Sequence, residues 1–406
     1  MPKLKLYQWV LLLVLWGAGV VIAIKYEVDF PVFYRAVQVS RFNPAQAYSD
    51  DLMSQNGPRF YYGPLVLAIA RPIVWFDFKV AKYLWILFQS IAFWVFWRFL
   101  FAHFAVLQKN KWAWLFVFAS SINPIHLNFQ SNNIQLMILA SLMVAEKLSN
   151  KESKAKQILA GMIIPILGCI KVFPWFVVGY YLVGKNQRVR FGLVLGFLVA
   201  LVFPLLFFGW TSGLAAYQAF FVSLGKYQQH NSFIESTNLQ CLHSLIARFV
   251  PTSMFEGPWF SVLANGMFGT IGIVLFFNVW RSRREITDPV FQSALWALVV
   301  ALMIFLNPSS LGHYLVFLVP GLAAGLDILD RIPGSIFDKF CIWGGALIIM
   351  VVVDGMIGRS TSHALQKMRV PAMGMLLLCI GLCWIVYRFG QVEKHSERRR
   401  VPPRSF

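Results

Sequence analysis

Two ionisable residues stand where an apolar chain has reason not to put them. Asp29 follows the first hydrophobic run almost at once, in Glu27-Val28-Asp29-Phe30-Pro31, and Lys171 lies in Cys169-Ile170-Lys171-Val172-Phe173-Pro174, between two runs too short to cross a bilayer comfortably. A carboxylate beside a hydroxyl acceptor in a partly dry pocket is a general base. An ammonium at a membrane surface suits a phosphate anchored there, and an ionisable residue at membrane depth is a functional candidate by default. Each also has a plainer reading: headgroup water solvates Asp29, or Lys171 snorkels to the surface.

Other polar residues give weaker signals. Tyr34, Arg35, Arg41 and Tyr48 share the polar stretch that opens with Asp29, and it closes on Phe60-Tyr61-Tyr62-Gly63-Pro64. The group Asn123, His126, Asn128, Gln130, Asn132 and Asn133 reads either as sugar binding or as ordinary loop solvation. His313 follows Asn307-Pro308-Ser309-Ser310-Leu311-Gly312 at the mouth of an apolar run, and a lone histidine there is as well explained by structure as by chemistry. Asn238, Gln240 and His243, with Arg248 beyond, lie in a segment that could cover an acceptor. Asp50-Asp51 is a lesser candidate, since adjacent acids on a loop usually face water. Paired His-x-x-x-His, Cys-x-x-Cys and Gly-rich phosphate-loop patterns are missing from the sequence, so neither a metal nor a cofactor is expected.

The elements that must position these residues follow from composition. Of 406 residues, 58% are hydrophobic and 13% charged, more apolar surface than a soluble domain can bury. The net charge of +19 comes in short clusters between apolar runs, which reads as membrane topology and not as nucleic-acid binding. The five cysteines show no disulfide or metal spacing. Apolar runs fall at 6–24, 80–102, 112–126, 133–148, 157–170, 173–184, 191–209, 259–280, 290–306, 313–329, 339–357 and 371–389. They predict an all-α polytopic bundle of about twelve transmembrane helices forming one membrane domain over 1–406. The first run lacks a small-residue cleavage site and reads as a retained helix.

Basic residues resist translocation, so Lys109 and Lys111, then Lys151, Lys154 and Lys156, Lys185, Arg188 and Arg190, Arg281, Arg283 and Arg284, and the tail over 390–406 belong in the cytoplasm. That ladder is consistent if the piece 63–76, broken by Arg71-Pro72, does not cross and forms an interfacial or half-buried helix; the alternative is that it crosses and a later short span does not. The large outer loops are then 25–79 and 210–258, and the unusual polar residues gather on the outer face.

The ordered set Asp29-Phe30 with Tyr34 and Ala36, Phe60-Tyr61-Tyr62-Gly63-Pro64-Leu65, Asn123-Pro124 through Gln130 and Asn133, Gly161 with Ile170-Lys171-Val172-Phe173-Pro174, Asn238-Leu239-Gln240 with Arg248, and Asn307-Pro308-Ser309-Ser310 with His313-Tyr314 resembles the GT-C glycosyltransferases. Within them it is similar to glycosyltransferase family 87, the polyprenyl-phosphate-mannose-dependent α-mannosyltransferases of bacterial envelopes. The chain departs from the family in having Leu311-Gly312 where a tryptophan is usual. The resemblance implies a GT-C-like bundle in the bacterial inner membrane with its active site on the non-cytoplasmic face. It implies inverting transfer of a hexose, mannose by family habit, from a polyprenyl-phosphate sugar to a hydroxyl of an envelope glycolipid or glycan. Asp29 would be the base. Lys171, with Arg35 or His313, would offset charge on the departing phosphate, and Tyr62, His126, Gln130, Asn133, Asn238 and Gln240 would bind substrate. The rival reading from the residues is a transporter or flippase of lipid-linked sugars, which calls for mid-membrane charges and an internal repeat.

Overall fold

The computed structural model describes residues 4–49, 60–184, 186–229, 242–247, 266, 270, 288–307, 312–332, 334–351 and 359–400. Among the described residues the chain is helical, with no strand. It divides into two compact units, each drawn from separate stretches: Lys3–Phe99 with Pro124–Phe233, and Met1–Pro2 with Leu100–Asn123 and Ile234–Phe406.

The first unit contains α1 (Leu6–Lys25), α2 (Phe30–Val39), α3 (Pro64–Ile69) and most of α4 (Phe78–His103), then the last turns of α5 (Lys111–Ser131). It continues through α6 (Gln135–Ser149), α7 (Lys154–Ile170), α8 (Trp175–Gly184), α9 (Gln187–Phe208) and α10 (Trp210–Gln229). α1 turns Val10, Leu13, Val14 and Val21 outward, and α9 does the same with Phe191, Val194, Leu198 and Leu206. Helices that expose this much aliphatic surface are solvated by lipid, not water. α7 and α9 cross in near backbone contact because glycines stand at the crossing. A Cβ on Gly161 would collide with the Val189 carbonyl, and one on Gly192 with the Ile158 carbonyl. Small residues allow this approach, and packing then supplies the association energy that burial supplies in water.

In the second unit α11 (Leu242–Ala247) precedes α12 (Pro289–Leu306), whose N-terminus is capped by Asp288 accepting from the Val290 and Phe291 amides at 2.8 and 2.9 Å. A 3-10 turn, Gly312–Leu318, leads into α13 (Val319–Arg331), and the unit closes with α14 (Gly345–Val351), α15 (Arg359–Lys367) and α16 (Val370–Arg400). The buried Asp327 of α13 accepts from the Val106 amide at 2.7 Å, and buried Asp338 is paired with Arg388 of α16.

Six helices among the described residues are long and apolar enough to cross a bilayer: Leu6–Lys25, Phe78–His103, Gln187–Phe208, Pro289–Leu306, His313–Arg331 and Val370–Val392. The runs expected at 133–148, 157–170 and 173–184 are helical, but α6, α7 and α8 have 15, 17 and 10 residues. At about 1.5 Å per residue they rise roughly 22, 25 and 15 Å, against a hydrocarbon core of about 30 Å. The run at 259–280 lies outside the described residues except Gly266 and Thr270.

Several boundaries differ from the sequence reading. The piece 63–76 becomes the six-residue α3 and a 3-10 turn, Arg71–Trp75. Pro64 to Ala68 are buried against the unit, and Ile69, Trp75 and Phe76 open apolar surface outward. The segment from 210, expected as a loop, begins with a 20-residue helix. Gly209 at φ 83° ends α9 and restarts the chain as α10, which buries Ala216 and Phe220 beside Tyr48. Asn123 to Gln130, also expected in a loop, continue α5 to Ser131 through the internal Pro124. The helix survives because Asn128 ties its end: the side-chain amide donates to the Pro124 carbonyl at 2.9 Å, and its Oδ1 accepts from Leu136 N at 3.2 Å. The basic tail from 390 is helical to Arg400.

Candidate active site

Asp29 is the residue ahead of α2, a position where an aspartate ordinarily caps its own helix by accepting from a first-turn amide. It makes no such bond. Its Oδ2 accepts instead from the side-chain amide of Asn133 at 2.5 Å, while its backbone N–H donates to Ser131 O at 3.0 Å. Both contacts come from the short reversal between α5 and α6. That reversal is fixed by Asn132, which takes a left-handed φ of 51° and donates through Nδ2 to Ala23 O and Tyr26 O at the end of α1, at 3.0 and 2.9 Å.

The opposite side comes from the junction of α7 and α8. Gly63 N donates to Ile170 O at 3.0 Å, and a Cβ on Gly63 would fall on the Cys169 carbonyl oxygen, so only glycine lets these two backbones meet. The contact brings Tyr62 against Lys171, whose ammonium lies 4.8 Å from the centre of the Tyr62 ring. Tyr48 fixes the same segment by donating its hydroxyl to Tyr62 O at 2.9 Å. Beneath lie Phe30, Phe33, Phe60 and Trp85, with the Phe33 and Trp85 ring centres 4.5 Å apart.

Asp29, Tyr62 and Lys171 are recessed but not sealed; each keeps part of its surface open. Burial raises the Asp29 carboxyl above the ordinary carboxylate range, and the Asn133 hydrogen bond and Lys171 charge only partly oppose it. Burial lowers the Lys171 ammonium to about 8, against the pull of Asp29. Burial also raises the Tyr62 phenol, and the Asp29 carboxylate adds to that, so Tyr62 is a neutral hydrogen-bonding group. The arrangement is a carboxylate of raised basicity with a cation and an aromatic face beside it.

Of the residues singled out from sequence, Asp29, Asn133, Tyr62 and Lys171 come together. Arg35 is exposed on α2 six residues beyond Asp29, and the cation that acts on Asp29 is Lys171. His126 and Gln130, one turn apart on α5, are hydrogen-bonded to each other and half-buried. His313 belongs to the other unit, on the 3-10 turn, stacked on Tyr314 with ring centres 4.8 Å apart. Asn238, Gln240, Arg248, Asp50, Asp51 and Asp354 lie outside the described residues, as do the side chains of His243 and His363.

Sequence reasoning passed over Lys82, Trp85 and Gln89 of α4. Lys82 donates to Glu27 Oε1 at 2.8 Å and Ile24 O at 2.7 Å, Trp85 Nε1 to Asn132 O at 2.8 Å, and Gln89 Nε2 to Asn133 O at 2.9 Å. A lysine inside an otherwise apolar run was the signal available for the first of them.

The chain thus combines helices long and apolar enough to cross a membrane with a recessed carboxylate on which a nearby cation acts. The model of glycosyltransferase family 87 matches residues 60–308, more than half of the chain, and the protein belongs to that family. It is accordingly a membrane glycosyltransferase, acting on a sugar donor and an acceptor. Tyr62, Asn133 and Lys171 fall inside the matched stretch, and Asp29 precedes it. Comparison with curated proteins and with solved structures gives no match.

Proposed function

We propose that the protein transfers a hexose, mannose in the first instance, from a polyprenyl-phosphate donor to a hydroxyl of an envelope glycolipid or glycan, with inversion at the anomeric carbon. The observation that carries this reading is Asp29: a carboxylate released from helix capping, aimed at the Asn133 amide and raised in basicity by burial, with Lys171 beside it.

In this reading the acceptor O–H gives its proton to the free oxygen of Asp29 as the acceptor oxygen attacks the anomeric carbon. The bond from that carbon to the phosphate oxygen breaks, and the electron pair leaves on the lipid phosphate. A carboxylate whose pKa is raised towards the working pH is a better general base than one at the usual value. Asn133 keeps one carboxylate oxygen occupied and so turns the other to the substrate. Lys171 receives the negative charge that grows on the phosphate, a fixed cation in a site of low dielectric. Tyr62 holds the ammonium in place through its ring and offers a hydroxyl to the sugar. In this reading the site faces the non-cytoplasmic side, an orientation the basic clusters favour, in the bacterial inner membrane that the family resemblance implies.

The test is transfer of radiolabelled mannose from short-chain polyprenyl phosphate by purified protein, with envelope lipids as acceptor, with and without chelator. Wild-type turnover that falls roughly a thousandfold in Asp29→Asn, with an inverted product, supports the reading. Equal turnover in the two removes Asp29 from the mechanism.

A further inference from the structure

The three donors of α4 stand on one face of that helix, at spacings of three and four residues, and all point at backbone that carries the site. Lys82 is only 5% exposed, yet it spends its ammonium on the last turn of α1 and on Glu27, two residues before Asp29. Trp85 bonds the carbonyl of Asn132, whose own side chain clasps the α1 terminus. Gln89, 1% exposed, reaches two carbonyls with one amide, Asn133 O at 2.9 Å and Asn128 O at 3.3 Å. The side chain of Asn133, whose carbonyl Gln89 holds, is the one that binds Asp29.

We propose that this face of α4 is the positioning element of the site, with Gln89 as the residue that sets Asn133, and through it the protonation of Asp29. None of the three touches the carboxylate. Buried polar side chains in an apolar helix need partners, and each here finds its partner on the segments that meet at Asp29, none of it in side-chain pairing along α4 itself. The division of labour is chemical as well as geometric. Lys82 takes up Glu27, the neighbouring acid, while Asp29 receives a neutral amide from Asn133. The ionisable group that acts on Asp29 is then Lys171, from the segment opposite, while the neutral Tyr62 phenol stands beside it. Asn133 is also held through its N–H to Asn128 O and through Gln135 N–H to its Oδ1, so loosening Gln89 shifts Asn133 and weakens the hydrogen bond that favours the charged carboxylate, leaving Lys171 as the main opposition to burial.

This inference borrows from the proposed function only the importance of Asp29, and its test does not need turnover. Carbodiimide modifies a protonated carboxyl, so the pH midpoint of its reaction at Asp29, read by mass spectrometry on the full-length protein in detergent, reports protonation directly. In Gln89→Leu the midpoint rises by about half a pH unit or more, the same direction as in Asn133→Leu. The double variant shows no further rise, because the two residues act in one chain. Gln89→Glu, whose buried carboxylic acid can still donate one hydrogen bond, falls between wild type and Gln89→Leu. Trp85→Phe, which deletes a single N–H and keeps the ring, moves the midpoint less and in the same direction. Should Gln89→Leu not fold, the last two variants decide. An unchanged midpoint in Gln89→Glu and Trp85→Phe, or a Gln89→Leu protein indistinguishable from wild type, overturns the proposal. If the midpoint moves as stated while Asp29→Asn retains transfer, the positioning holds and the base assignment fails.

Discussion

Lys171 holds its ammonium 4.8 Å from the centre of the Tyr62 ring, and burial has brought that ammonium down to about 8. A lysine in this state is charged at neutral pH and loses its proton just above it. If Lys171 holds the donor phosphate as proposed, kcat/KM of the free enzyme declines as pH rises through about 8, where that phosphate loses its cation. Bound donor phosphate favours the charged form, so the alkaline limb of kcat lies higher than that of kcat/KM. Lys171→Arg, always protonated, removes the limb from both profiles. A pH profile of wild type that stays flat to pH 10 sinks the assignment.

The same burial makes Lys171 a stability liability. Its folded pKa lies below the ordinary lysine value, so between about 8 and 10.5 the unfolded chain binds the extra proton and stability rises with pH. Below that window the cost of the buried charge is fully present. Lys171→Met is expected to raise Tm by about 2–4 °C at pH 7 while abolishing transfer. Thermal unfolding of the two proteins in one detergent checks this, and a lower Tm in the variant counts against it.

Asn133 favours the ionised form of Asp29. In Asn133→Leu the carboxyl titrates higher, so the acid limb of the rate profile moves up and kcat near pH 6 falls roughly ten- to hundredfold. KM for the donor changes little, because Lys171 and Tyr62 are untouched. Steady-state kinetics between pH 5 and 8 separates the two parameters; a change confined to KM contradicts the prediction.

How much of this could be read beforehand follows from the range of each interaction. Asp29 and Lys171 can be picked out by type alone, since an ionisable residue in an apolar chain has few places to hide. That Asn133 binds Asp29 across 104 positions is not a local property, and no spacing rule carries it. Pro124 amid asparagines reads as a loop, because residue types alone do not say that Asn128 will tie the end of the helix to Pro124 O and Leu136 N. α10 was hidden for the converse reason: Trp210-Thr211-Ser212-Gly213 begins like a turn, and its helix is fixed by packing on Tyr48. The apolar runs gave the positions of most helices, including the short α8 that ends at Gly184.

Gly63 tests the meeting of the first polar segment with the α7–α8 junction. A methyl group there overlaps the Cys169 carbonyl, and backbone on one side must yield because neither partner is a flexible side chain. Gly63→Ala is expected to lose about 1–3 kcal/mol of stability and to move Tyr62 off Lys171, with transfer reduced roughly a hundredfold. Chemical denaturation and turnover on the same preparation give both numbers. Full activity in the variant would show that the two backbones part without cost to the site.

The α7–α9 crossing offers the complementary case, a close approach remote from the carboxylate. Gly192 meets the Ile158 carbonyl and Gly161 meets that of Val189, so the two helices interlock through reciprocal contacts. Gly192→Leu forces them apart at a depth where no water can fill the gap, and a loss of about 1–3 kcal/mol is expected. Because Lys171 follows directly on the end of α7, the proposed mechanism has the displacement felt as weaker donor binding before it is felt in the proton transfer. The variant should raise KM for the polyprenyl-phosphate sugar and leave the acid limb of the pH profile where it was. A shifted acid limb in Gly192→Leu would mean that this helix pair also governs Asp29, and that the carboxylate is not positioned from α4 and the Asn132-Asn133 reversal alone.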